Sequence, residues 1–75
     1  MSVGQEIADR LKTMGVEPLI GGLIPESAAA ALLGYSINHW RVQAAKGLAP
    51  LPYVLRGNRR FYRVADIKRF VTETQ

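Results

Sequence analysis

The chain has 75 residues, of which 48% are hydrophobic and 21% are charged, and it contains no cysteine. These values are typical of one small globular domain, and they exclude disulfide bonds and thiolate metal sites as sources of stability. The apolar stretch over residues 19–33 is divided by Pro25 and Glu26 into pieces too short to span a bilayer, so we predict no membrane segment. Glu6 and Asp9 precede any apolar block, which is unlike a secretory signal, so we expect a cytoplasmic protein.

The net charge of +4 is unevenly distributed along the chain. Residues 1–37 hold two basic and four acidic side chains, a net charge of −2, whereas residues 38–75 hold eight basic and two acidic ones, a net charge of +6. Clustered lysine and arginine favour a polyanionic partner such as nucleic acid. Six of the eight basic residues are arginine, whose planar guanidinium suits contacts to phosphate or guanine. A merely solvated basic surface is the alternative interpretation of this pattern.

Apolar residues at helical spacing predict a first helix near the start of the chain. The residues that recur at this spacing are Val3, Ile7, Leu11 and Met14. We therefore predict an amphipathic helix over residues 2–14, ended by Gly15. A proline and two adjacent glycines predict a linker over residues 16–22. The expected organisation is an N-terminal helix with its linker, residues 1–22, followed by a domain over residues 23–75.

Two short helices with a tight turn between them are predicted next. Pro25 suits the first turn of a helix, and residues 28–33 are strong helix formers. Gly34 ends that helix, and Ser36 is a good N-cap for the following one, which we expect to run from residue 37 to about residue 46. Two short helices joined by a glycine-containing turn are typical of a helix-turn-helix.

A hairpin and a last helix complete the predicted fold. Residues 53–55 and 60–62 favour β-structure, and the Gly57-Asn58 pair between them predicts the turn. Helical spacing returns over residues 64–72, so we expect a final helix that packs back on the helix pair. The predicted fold class is mainly α with a small β-hairpin.

The predicted third helix has two unlike faces. Trp40 and Ala44 lie on the side that we expect to face the core, with Ile37 at its edge. Asn38 points away from the core with Arg41 beside it, and these are an amide that can read adenine and a guanidinium that can read guanine or bind phosphate. We interpret Trp40 as a packing anchor and not as a platform for stacked bases. A solvated helix surface is the alternative for the outer face.

The hairpin tip carries a dense positive cluster. Arg56, Asn58, Arg59 and Arg60 surround Gly57 on a projection small enough to approach a DNA backbone or a narrow minor groove. Exposed arginines at the edge of a hairpin can instead prevent its pairing with other chains, which is the alternative interpretation.

Features of a catalytic centre are missing from the sequence. It contains no glycine-rich phosphate loop, no metal-ligand spacing and no nucleophile paired with a base. A lone histidine, His39, is poor support for catalysis or metal binding, so we treat it as a DNA contact or a bystander. We therefore predict no catalytic residue, no metal and no cofactor, and we expect the chain not to be an enzyme.

Several spaced segments together resemble the excisionase-like and MerR-like winged helix-turn-helix families. The segments are LIPESAAAALLGYS (residues 23–36), GLAP (47–50), RRFYR (59–63) and DIKRF (66–70), and the resemblance covers about residues 23–71. It implies a winged helix-turn-helix with an extra N-terminal helix, in which the third helix enters the major groove and the hairpin is a wing on the backbone or minor groove. It also implies that Asn38, His39 and Arg41 face the groove and that Arg59 and Arg60 are wing contacts. The full set of predicted DNA-contacting residues is Ser36, Ile37, Asn38, His39, Arg41, Lys46, Arg56, Asn58, Arg59, Arg60 and Tyr62.

The function that the resemblance implies is sequence-specific binding to double-stranded DNA. The role would be that of a phage or prophage excisionase, a recombination directionality factor, or that of a transcriptional regulator. A second copy on the DNA, or an integrase or other recombinase, is an expected partner, and the N-terminal helix either supplies that contact or packs on its own domain. The long C-terminal helix and effector site of full MerR regulators have no counterpart, so we expect no small-molecule effector. The alternatives are an adaptor for an acidic protein and the DNA-recognition part of a phage packaging or replication complex.

Overall fold

Four helices and three short strands follow one another along residues 2–73, the part of the chain that the computed structural model describes. In chain order they are α1 (Val3–Thr13), β1 (Leu23–Pro25), α2 (Glu26–Leu33), α3 (Ile37–Ala45), β2 (Val54–Arg56), β3 (Arg59–Arg63) and α4 (Val64–Glu73). The strands form an antiparallel sheet with β3 between β1 and β2. The prediction of a mainly helical fold with a hairpin is confirmed, and the sheet has one strand more than predicted.

The first helix is part of the common core. The Ser2 hydroxyl accepts a hydrogen bond from the Gln5 amide at 3.1 Å, which satisfies one of the free amides of the first turn. Ile7 and Leu11 are buried, one helical turn apart, and belong to the same cluster as Ile67 of α4. Packing on its own domain is therefore the arrangement that α1 adopts in this structure.

The strand β1 was not predicted. It pairs with β3 in the register Leu23 with Arg63, Ile24 with Tyr62 and Pro25 with Phe61. Three residues are too few for the alternating pattern that marks a strand, and a proline is tolerated there because β1 lies at the edge of the sheet. Pro25 has extended backbone angles (φ −62°, ψ 156°) and is the N-cap of α2, so its predicted place in the first helical turn was wrong by one residue.

The turn between α2 and α3 follows the predicted chemistry. Gly34 caps α2 with φ +78°, in the left-handed region, and the Tyr35 amide donates to the Ala30 carbonyl oxygen at 2.9 Å. The Ser36 hydroxyl accepts from the His39 amide at 3.3 Å and so begins α3. The helix pair is thus held by its own caps, and three consecutive alanines of α2, residues 28–30, are buried against the core.

The core is centred on the four largest side chains, among the described residues, that are almost completely inaccessible to solvent. They are Trp40 of α3, Tyr62 of β3, Ile24 of β1 and Ile67 of α4. Because each comes from a different element, this centre fixes the position of α3 relative to the sheet. Among residues 2–73, none of the helices has the length and the apolar composition needed to cross a bilayer.

Candidate nucleic-acid interface

The helix α3 presents the two faces that its sequence predicts. Trp40 and Ala44 are 1% and 3% exposed, so they anchor the inner face. Asn38 and Arg41 are exposed on the outer side, together with His39. The outer face therefore offers hydrogen-bonding groups at a helix whose own position is fixed by the core.

The hairpin formed by β2 and β3 projects basic side chains at its tip. Its register pairs Arg56 with Arg59 across the Gly57-Asn58 turn, where Gly57 has φ +64°. Arg56, Asn58 and Arg59 are exposed, whereas Arg60 is partly buried. The first predicted strand began one residue too early and the second, residues 60–62, lies within the longer β3, while the turn lies where it was predicted.

A cleft of about 410 Å³ separates α3 from the hairpin. Its lining comes from the end of β1, the start of α2, α3, the hairpin turn and β3: Pro25, Glu26, Ser27, Arg41, Ala45, Asn58, Arg59, Arg60 and Phe61. Arg41 and Arg59 border the same cleft, so the outer face of α3 and the arginine-bearing hairpin lie on one side of the fold. Three of the arginines of residues 38–75, Arg41, Arg59 and Arg60, are thus brought together at this cleft.

An acidic residue lies at the base of this cleft. The Glu26 carboxylate is 11% exposed; its Oε2 is 3.6 Å from Nη1 of Arg60, and its Oε1 is 3.9 Å from Nε of Arg41. The guanidinium of Arg60 also lies 5.6 Å from the centre of the Tyr53 ring, within the range of a cation–π contact. Glu26 therefore contacts one arginine from each side of the cleft. In the sequence, the only sign of this role is a lone acidic residue at the start of a helix.

Tyr62 was wrongly predicted as a DNA contact. Its side chain is fully buried; its hydroxyl accepts from Nε1 of Trp40 at 2.8 Å and donates to Oε2 of Glu26 at 3.1 Å. Burial raises the pKa of the Tyr62 hydroxyl from 10.0 to about 12, and the Glu26 carboxylate adds to the rise. The error has a physical cause: the unpredicted strand β1 makes β3 the central strand, so both Phe61 and Tyr62 are covered.

The other predicted contacts differ in how accessible they are. Ile37 is partly buried against the core and can expose only part of its side chain. The Ser36 hydroxyl is already engaged as the α3 cap, although the residue is exposed. Lys46 is exposed at the C-cap of α3. These three residues lie at the two ends of α3, outside the group that lines the cleft.

Part of the basic half of the chain lies on α4 and not at the cleft. Arg69 pairs there with Asp66, and neither residue lines the cleft. Within residues 2–73, no three His, Cys, Asp or Glu side chains are grouped so that they could hold a metal ion. Comparisons of the chain with protein-family models, with curated proteins and with solved structures find no match. The cleft and the outer face of α3 are therefore the features of this molecule that bear on its function.

Proposed function

We propose that this chain is a winged helix-turn-helix domain that binds double-stranded DNA sequence-specifically. In this proposal α3 enters the major groove, and the hairpin of β2 and β3 is the wing that contacts the neighbouring backbone or minor groove. The observation that carries the proposal is that Arg41 of α3 and Arg59 of the hairpin border one cleft on one side of the fold.

The outer face of α3 supports the assignment to the major groove. That groove is about 12 Å wide and accepts one α-helix. Asn38 can donate to and accept from adenine, and Arg41 can donate two hydrogen bonds to guanine. Val42 is 50% exposed on the same helix, and such an apolar group can contact a thymine methyl.

The hairpin tip supports the assignment to the DNA backbone. Arg56, Asn58 and Arg59 are exposed hydrogen-bond donors within or directly beside a two-residue turn, so they can approach phosphate oxygens closely. Phosphate contacts of this kind add affinity without reading sequence. In this proposal α3 provides the sequence specificity, and the wing provides most of the electrostatic attraction to DNA.

The small size of the interface suggests how such a domain would be used. A single module of this kind contacts about 600–1,000 Å² of surface, so selective binding requires additional contacts. We therefore propose that copies bind adjacent DNA sites, in the role of a phage or prophage excisionase or of a small transcriptional regulator. The protein would act in the cytoplasm on double-stranded DNA and, in the first role, beside an integrase.

Fluorescence anisotropy on labelled duplexes tests the proposal. A preferred duplex is first selected with the wild-type protein from a random-sequence pool, and a scrambled duplex of equal length and composition serves for comparison. We expect the affinity for both duplexes to fall steeply as salt rises, with a slope of about −0.9 in log K against log salt for each phosphate contact. An acidic-protein adaptor would instead bind neither duplex.

Two substitutions separate the roles of helix and wing. Arg59→Gln should weaken both duplexes alike and lower the salt slope by about 1, whereas Arg41→Gln should weaken chiefly the selected duplex, by about 1–3 kcal/mol. Arg10→Gln is the matched control, because it removes the same charge from an exposed position on α1. An equal loss of affinity in Arg10→Gln and Arg59→Gln would show that only net charge matters and would overturn the proposed interface.

A further inference from the structure

The carboxylate at the base of the cleft belongs to neither of the two elements proposed to touch DNA. Glu26 is the first residue of α2, yet its two oxygens lie 3.9 Å from Arg41 of α3 and 3.6 Å from Arg60 of β3. An acidic side chain facing a DNA-binding cleft repels phosphate, so its presence there lowers the general affinity for DNA. Its contacts with the two arginines offer a reason for its presence.

The surroundings of Glu26 hold its side chain in one place. It is 11% exposed and accepts the hydroxyl hydrogen of Tyr62, which in turn accepts from the indole Nε1 of Trp40. Tyr62 and Trp40 are among the most deeply buried side chains of the described residues. A chain of hydrogen bonds thus connects the core to the carboxylate, and long flexible arginines gain a fixed anchor.

We propose that Glu26 is a positioning residue that sets the direction and spacing of Arg41 and Arg60 and thereby determines sequence discrimination. This inference rests on the proposed binding of duplex DNA. Arg41 is 63% exposed in its side chain and Arg60 28%, so the first remains free to reach a base while the second is held closer to the protein. Glu26 itself is too deeply placed to serve as a direct DNA contact.

A local role for Glu26 is the competing explanation, because an acidic residue in the first turn also stabilises a helix through the helix dipole. The chain contains a matched control for this effect. Glu6 lies in the first turn of α1, is exposed, and does not line the cleft. Glu6→Gln and Glu26→Gln therefore remove the same charge from the first turn of a helix, and only the second removes the contact with the arginines.

The test compares wild type, Glu26→Gln and Glu6→Gln on the selected and the scrambled duplex. We expect Glu26→Gln to reduce the ratio of the two affinities about three- to tenfold, as expected for the loss of two partly exposed ion pairs. Its affinity for the scrambled duplex should be unchanged or higher, since a negative charge is gone. Glu6→Gln should retain the wild-type ratio. A wild-type ratio in Glu26→Gln, or an equal fall in Glu6→Gln, overturns the proposal.

A second readout without DNA separates this inference from the proposed function. The Nε–Hε signals of the arginines are recorded by two-dimensional NMR in the free protein. In Glu26→Gln the signals of Arg41 and Arg60 should shift while that of Arg10 stays in place, and unchanged signals overturn the positioning role. If wild type binds no duplex, the proposed function fails, and the NMR spectra still show whether Glu26 holds the two arginines.

A second variant covers the case in which Glu26→Gln does not fold. Tyr62→Phe removes the hydroxyl that donates to Glu26 and leaves the carboxylate charge in place. We expect the discrimination ratio to fall in the same direction, about twofold, because the carboxylate of Glu26 loses one hydrogen bond that constrains it. An unchanged ratio in a folded Tyr62→Phe protein overturns the proposal.

Discussion

The hydroxyl of Tyr62 connects the core to the cleft. We expect the loss of this single oxygen atom to lower the free energy of unfolding substantially. In Tyr62→Phe the indole Nε1 of Trp40 loses the acceptor that now lies 2.8 Å away, and Glu26 loses a donor at 3.1 Å. Trp40 is 1% exposed, so water has poor access to the freed group. A buried donor left without a partner costs about 1–3 kcal/mol.

This loss of stability can be converted into an expected decrease in melting temperature. A loss of 1 kcal/mol lowers the melting temperature of a domain of this size by roughly 4–8 °C. A loss of about 2 kcal/mol in Tyr62→Phe therefore predicts a decrease of roughly 8–16 °C. Since Trp40 is the single tryptophan of the chain, its fluorescence reports thermal or urea unfolding directly.

Tyr35→Phe is the matched control for this prediction. Tyr35 also packs edge-on against the Trp40 ring, with centroids 5.4 Å apart, but it is 41% exposed. The free energy of unfolding of the Tyr35→Phe protein should differ from that of wild type by less than about 0.5 kcal/mol, as for other surface substitutions. If Tyr62→Phe were as stable as Tyr35→Phe, the chain of hydrogen bonds from Trp40 to Glu26 would not contribute to the fold as argued.

Two further predictions concern alkaline pH and backbone strain. The folded protein holds the Tyr62 proton up to a pKa of about 12, against 10.0 for an ordinary tyrosine, so between these values the folded state binds more protons than the unfolded state. This contribution to stability should therefore be retained below pH 10 and be lost as the pH rises towards 12, by an amount on the order of 2–3 kcal/mol. Urea unfolding of wild type and Tyr62→Phe at each pH measures it, and the fall should be missing in Tyr62→Phe. An identical pH dependence in the two proteins would contradict the assignment. Gly34→Ala should lower the melting temperature by roughly 4–8 °C, because an alanine at φ +78° carries backbone strain of about 1 kcal/mol. The added carbon would have no neighbouring atom within 4 Å, so no new contact offsets this strain. Gly4→Ala, inside α1 with ordinary 3.7 Å contacts to Lys68, should instead raise the melting temperature, and thermal unfolding of both variants in parallel checks the opposite signs.

Local chemistry explains which parts of the fold were predictable. The spacing of Ile7 and Leu11, the left-handed Gly34 and the N-cap Ser36 act within a few residues of the chain, so α1 and the α2–α3 pair could be predicted from the sequence. The Gly57-Asn58 turn is equally local. Each of these signals acts over about one helical turn or one hairpin, and the structure contains the corresponding elements.

Contacts between distant segments explain what was missed. The pairing of β1 with β3 joins residues about forty positions apart, and three residues of strand carry no pattern of their own. Without β1, Tyr62 could be interpreted as an exposed residue of a two-stranded hairpin. The role of Glu26 was hidden for the same reason, because its partners Arg41, Arg60 and Tyr62 come from two other elements.

The most direct test of the account is to map the duplex onto the protein by NMR. Amide signals of the ¹⁵N-labelled protein are followed while the selected duplex is added at moderate salt. We predict that the shifts cluster on α3 and on the hairpin tip, at residues 36–46 and 56–60, with the amides of α1 unaffected. Shifts centred on α1 and α4, or none at all, would contradict the claim that α3 and the hairpin form a DNA-binding surface.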